Sequence, residues 1–167
     1  MILADKKIKM CMDNGWLVIK PKPKIIQPAS VDLNLGNEIK TLNNETYFLD
    51  NGDYYLKPYE FALASTYEYV EIPKFLVGIV NGKSSIGRLG LFIHITAGYI
   101  DPNFKGNITL ELFNCTDKKI RLKKGMSICQ LILETLTDEP DNSYGSKVLG
   151  SHYQNSKGTV YSKYTYE

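Results

Sequence analysis

Thr96-Ala97-Gly98-Tyr99-Ile100-Asp101-Pro102-Asn103-Phe104-Lys105-Gly106 runs directly into Asn107-Ile108-Thr109-Leu110-Glu111-Leu112-Phe113. The first half is dense in Gly, Pro, Asn and Asp, the residues that make turns, and the second is a run of β-formers. The same alternation of turn cluster and short strand continues in both directions. Residues 16–19, 31–35, 46–49, 61–65, 75–80, 91–95, 120–122 and 128–133 read as strands, with 68–72 a weaker candidate. Runs spaced roughly ten residues apart predict a mainly β domain, a distorted barrel or jelly roll. One helix precedes them: Asp5 is placed to cap it, Ile8, Cys11 and Met12 share a face, and Asn14-Gly15 stops it.

The chain has 167 residues, 43% hydrophobic and 23% charged. That is one domain, 1–167, long enough to bury roughly 70% of its unfolded surface without staples. The formal charge of +2 is too mild for a nucleic-acid-wrapping or membrane-surface protein. Cys11, Cys115 and Cys129 are far apart, outside any Cys-x-x-Cys pair and each within two positions of an apolar residue, so all three are expected as buried free thiols. No apolar run approaches the roughly 18 residues that cross a bilayer, and the first residues carry no export signal, so a cytoplasmic protein is expected. From Pro140 the composition turns to Ser, Gly, Tyr, Lys and Asn, which predicts either a mobile tail over 140–167 or a segment that orders over a ligand. Its tyrosines (Tyr144, Tyr153, Tyr161, Tyr164 and Tyr166) favour giving the second option weight.

Two stretches carry chemistry. Gly82-Lys83-Ser84 resembles the end of a phosphate-binding P-loop, but Val77 stands where the motif needs its first Gly, and no helix signal follows. What remains, through Ser85-Ile86-Gly87-Arg88, sets two cations and two hydroxyls between glycines, which suits an oligophosphate or a solvated hairpin. In the second stretch, Asp101 is a turn aspartate and Glu111 interrupts an apolar strand without clean alternation. Glu111 is either an outward-facing charge or a carboxylate in a cleft, placed for proton transfer. His94 reads as a satisfied wall histidine, and the His-x-Glu and Pro-Cys-x-x-Cys pattern of zinc deaminases is missing.

With these residues in view the chain resembles the dCTP deaminase family of the trimeric dUTPase superfamily. Gln27-Pro28-Ala29-Ser30-Val31-Asp32-Leu33 is similar to the first shared motif and Gly82 through Leu91 to the second. Thr96 through Asn114 is similar to the third, and Lys124-Gly125-Met126-Ser127-Ile128-Cys129-Gln130-Leu131 to the fourth. Tyr144-Gly145-Ser146 with Gly150-Ser151-His152-Tyr153-Gln154 resembles the C-terminal motif.

The resemblance implies a dUTPase-like β-clip fold with a C-terminal tail closing over the site. It also implies hydrolytic deamination of dCTP at C4 of cytosine without zinc. Glu111 would be the general base, with Ser84 and Arg88 holding water, base and carboxylate. Lys83 and Ser85 would face a triphosphate that arrives with Mg²⁺, and Ile86 and Gly87 fall within the same motif. The backbone around Ile95 and Ala97 would read the cytosine edge, Asp101 would receive the 3′-hydroxyl, and Thr109 and Leu110 flank Glu111. Gln130, Tyr144, His152 and Ser156 would meet the nucleotide from the fourth motif and the tail. The family's sites form between subunits of a homotrimer, and neither nucleic acid nor membrane is implied as a partner.

Members that stop at dUTP often carry His and Arg after Thr-Ala. Gly98 and Tyr99 stand here, which favours the type that continues to dUMP and diphosphate, with Asp101 where dUTPases keep a water-activating aspartate. His152 replaces a usual Lys and Ser156 a usual Gln, with Lys157 a candidate substitute. A plain dUTPase would not need Glu111, an inactive nucleotide-binding module would not need intact Ser84, Arg88 and Glu111, and a structural jelly roll would leave both loop motifs unexplained.

Overall fold

The computed structural model describes residues 1–164. Tyr166 lies outside the described residues. Helix α1 (Asp5–Asp13) buries Ile8 and Cys11 on one face, and the Gly15 N–H closes its end on the Met12 carbonyl. Its cap is Ala4, without a side-chain hydrogen bond; Asp5 sits inside the first turn and its carboxylate accepts the Lys6 N–H. The expected Asp5 cap is therefore one position out.

The strands follow as β1 (Val18–Lys20), β2 (Ile26–Gln27), β3 (Ser30–Asn34), β4 (Glu38–Thr41), β5 (Thr46–Phe48) and β6 (Tyr54–Leu56). Next come β7 (Phe61–Glu71), β8 (Leu76–Gly82), the single turn α2 (Ser84–Gly87), β9 (Leu91–Phe92) and β10 (Tyr99–Ile100). The described strands end with β11 (Lys105–Asn114), β12 (Ile120–Leu122) and β13 (Ser127–Thr135). The weak 68–72 strand is the second half of β7, continuous with 61–65.

Every strand pair is antiparallel. One sheet runs β5-β4-β7-β11-β9, with β1 also on β7; a second runs β10-β8-β13-β3-β2; β12 pairs with β6 separately. Both sheets are open, so the architecture is a jelly-roll-like pair of sheets and the expected barrel does not close. Apolar residues from both sheets, Leu110 and Leu112 with Leu33 and Leu131 among them, form one continuous core. Burying apolar area at about 25 cal/mol per Å² is the main stabilising term for such a core.

Strand β11 sets up the site. Burial alternates strictly along it, with Ile108, Leu110 and Leu112 inward. Thr109, Glu111 and Phe113 therefore share the opposite face. The sequence showed no alternation because apolar Phe113 occupies the outward register.

Cys11 and Cys129 are buried, but Cys115 is exposed in the turn after β11, against expectation. Its apolar neighbours Phe113 and Leu112 lie on opposite faces of the strand and shield nothing beyond its end.

Candidate active site

A pocket of about 740 Å³ opens on the outward face of β11. Its floor holds Asn107, Thr109 and Glu111, continued by Leu63 and Phe61 of β7. One wall is the segment from Ala97 to Asp101, the other the tail. Glu111 is paired with Leu63 across the sheet, and its Oε2 accepts the backbone N–H of Ile95 at 2.8 Å. Both readings of Glu111 thus meet: it points away from the core, and what it points into is a cleft.

Asp101 lines the same pocket with an exposed face, and desolvation by the surrounding wall raises its carboxyl above the usual range. Gly98 allows the wall to close up. A Cβ there would lie 2.7 Å from the Val80 carbonyl and 3.0 Å from His94 Nε2, so a side chain as large as His cannot enter without moving the wall. His94 is half-buried, and its Nδ1 has no hydrogen-bond partner among the described protein groups.

The tail is packed onto the body of its own chain. Gln154 gives an Oε1 acceptor to the Lys105 N–H at 2.9 Å, and its amide donates to the Asn103 carbonyl at 2.8 Å. Asn107 N–H donates to the Ser156 carbonyl at 2.9 Å. The Tyr144 hydroxyl accepts the Tyr153 N–H at 3.0 Å, and burial raises the Tyr144 phenol. Tyr144 and Ser156 line the pocket; His152 is exposed and instead meets the rings of Tyr153 and Tyr164.

A second group of expected residues lies elsewhere. Lys83 precedes α2 and forms an ion pair with Asp32 on β3. The turn that follows is a helical turn, not the helix-free loop expected, yet at four residues it offers no phosphate-binding helix terminus. Ser84, Ser85, Gly87 and Arg88 are exposed on it, while the Ile86 side chain is buried at 6% exposure. Gln130 on β13 stands between Asp32 on β3 and Asn81 on β8, making a polar row across the sheet. None of these lines the Glu111 pocket. Leu110 is a correction: its side chain, 1% exposed, belongs to the core, so only its backbone faces outward.

Sequence reasoning gave no role to Asp32 or Asn107, although both lay in quoted stretches: Asp32 had no partner in view, and Asn107 meets the tail only in the folded chain. Tyr153 and Tyr161, named there only as tail tyrosines, both line the pocket.

Residues 2–136 match the model of the dCTP deaminase-like family. The chain belongs to this family. A relative from Methanosphaera stadtmanae named dCTP deaminase, dUMP-forming, is 41% identical over 183 residues, covering 97% of this chain and 93% of that one. A Thermobifida fusca protein of the same name is 39% identical, covering 98% and 92%. Among solved structures, the 2′-deoxycytidine 5′-triphosphate deaminase of Agrobacterium tumefaciens has a TM-score of 0.69 at 21% identity, over 81% of this chain and 48% of that one. This chain spans about half its length. The EIAV dUTPase has a TM-score of 0.56 at 22% identity, over 78% of this chain and 98% of that one. At these identities the two structures bear on the fold, which is dUTPase-like.

Proposed function

We propose that this protein hydrolyses the C4 amino group of dCTP and then cleaves the resulting dUTP to dUMP and diphosphate. The observation that carries the reading is Glu111 held by the Ile95 N–H on the floor of a pocket. The relatives named for the same reaction support it. With Oε2 engaged, Oε1 takes a proton from water as the water oxygen bonds to C4. The carboxyl passes that proton to the exocyclic nitrogen, the C4–N bond breaks, ammonia leaves, and the second water proton ends on ring N3. Asp101 then takes a proton from the water that attacks the α-phosphorus, and diphosphate departs. Its raised pKa suits a base.

Ser84 and Arg88 lie outside the pocket of their own chain, so a second copy supplying that turn completes the site. Exposed Leu89, Phe92 and Ile95 beside the turn suit a subunit contact, and a homotrimer is the proposed assembly. Magnesium is proposed to enter with the triphosphate, bound through its phosphate oxygens. No described helix is long and apolar enough to cross a membrane, and a deoxynucleotide substrate suits the proposed cytoplasmic location.

The test is incubation with dCTP and Mg²⁺, beside a parallel incubation with dUTP, resolving nucleotides by anion exchange. Formation of dUMP supports both steps; accumulation of dUTP removes the second; turnover of dUTP alone leaves a dUTPase and removes the first.

A further inference from the structure

Beyond the Gln154 contacts the tail has a second anchorage, and we infer that Glu38 on β4 is a positioning residue that latches the tail closed before the nucleotide arrives. The inference rests on the proposed reaction only for what the closed tail serves.

Thr159 is the one buried residue among the described residues of the tail, 2% exposed. Its N–H donates to Glu38 Oε2 at 3.0 Å, and its hydroxyl donates to the Glu38 carbonyl at 3.1 Å. Gly158 lets the backbone come this close. At φ +64° it is in the left-handed region, and a Cβ there would sit 2.9 Å from Glu38 Oε2. On either side, the Gly158 N–H donates to Asn107 Oδ1 at 3.1 Å and the Val160 N–H to Thr109 Oγ1 at 3.3 Å. Tyr161 follows, its hydroxyl on the Thr41 carbonyl at 3.3 Å and its ring 4.9 Å from Lys40 Nζ.

Each of these contacts joins the tail to β4 or β11 of its own chain, which gives it an anchorage separate from the nucleotide's own contacts. It is also joined to the chemistry, because Thr109 lies two residues before Glu111 on the same face of β11. Val160 and Tyr161 line the pocket that Glu111 floors.

A latch of this kind has a kinetic signature. If only the closed form binds productively, apparent KM is the intrinsic value divided by the closed fraction, while saturating substrate restores closure and kcat. Loosening the latch raises KM for dCTP and dUTP by one common factor and leaves kcat unchanged. A structural lesion instead lowers kcat through the active fraction and lowers Tm.

The experiment compares the full-length wild type, Glu38→Ala, Glu38→Gln and Gly158→Ala. Glu38→Ala is expected to raise both KM values about tenfold with kcat within about twofold, the scale of one lost hydrogen bond to a charged acceptor. Glu38→Gln keeps an oxygen acceptor and should recover most of the loss. Gly158→Ala attacks the latch from the tail, leaves the body unaltered, and should reproduce the KM effect even if Glu38→Ala folds poorly. Trypsin without nucleotide should cut after Lys157 several times faster in Glu38→Ala and Gly158→Ala, and saturating dCTP should abolish the difference. Unchanged KM and unchanged cleavage overturn the latch, as does a fall in kcat at constant KM. If the wild type turns over no dCTP, the functional reading falls, and the trypsin comparison without nucleotide still decides the latch.

Discussion

Ile95 and Glu111 meet where the Ile95 N–H donates to Glu111 Oε2 at 2.8 Å, and two residues earlier the Ile93 carbonyl accepts the Glu111 N–H at 3.1 Å. The pocket wall and the strand beneath it are thus fastened at both the backbone and the side chain of one residue. Fixing a glutamate in this way costs about 1.5–2 kcal/mol of rotamer freedom, which a solvated surface charge does not incur.

Glu111→Gln should keep the Ile95 contact, because the amide oxygen still accepts, while losing the group that takes a proton. Ammonia release from dCTP should fall by about 10²–10⁴-fold. Calorimetric dCTP affinity should stay near wild type, and dUTP cleavage should persist. A normal deamination rate in this variant would remove Glu111 from the mechanism.

Asp101→Asn separates the two steps: diphosphate release should be lost while ammonia release continues. Its effect on stability has a defined pH window. Because the folded carboxyl titrates above the ordinary value of 3.8, burying its charged form is a cost that grows as pH rises through the folded pKa. Below the unfolded pKa both states are protonated and the cost vanishes. Asn should therefore raise Tm slightly at neutral pH and leave it unchanged in acid below the unfolded value. Calorimetry showing the reverse trend would refute the sign.

Gly98→Ala tests the wall. With a Cβ 2.7 Å from the Val80 carbonyl, the 95–101 segment must shift, and the Ile95 N–H moves with it. Deamination kcat should drop at least tenfold while folding stability falls by about 1–3 kcal/mol, the usual cost of overpacking. Wild-type kcat would mean that the Ile95 contact is dispensable.

Thiol reactivity should divide the cysteines. Cys115 is exposed, whereas burial encloses Cys11 and Cys129 and pushes both thiols up. An aromatic disulfide reagent should label one thiol quickly in the native protein and all three only on unfolding. Mapping the fast label to Cys129 would contradict the core packing.

The strand runs, the turn clusters between them and the family motifs are local patterns, and each was legible from residue order alone. So was the oddity of Glu111, since a carboxylate among β-formers is conspicuous wherever the strand sits. Strand length was less legible: β7 joined two separate runs because its inner face continues through a polar stretch at Thr66, Tyr67 and Glu68. Thr66 and Glu68 are buried there and hydrogen-bonded: the Glu68 carboxylate finds its partners 34 residues away in the chain, and the Thr66 oxygen accepts an N–H from 42 residues away. The tail shows the same limit. Nothing local to Glu38 or Thr159 marks them as partners, because they lie 121 residues apart and meet only when 158–161 lies over β4 and β11. The sequence by itself determined the β class, the motifs and the chemical identity of the groups at the site. Only the tertiary structure decided which groups share a pocket. Sheet register and chain return select contacts among residues distant in sequence, and those contacts set Glu111 with Asp101 and the tail while leaving Ser84 and Arg88 on another face.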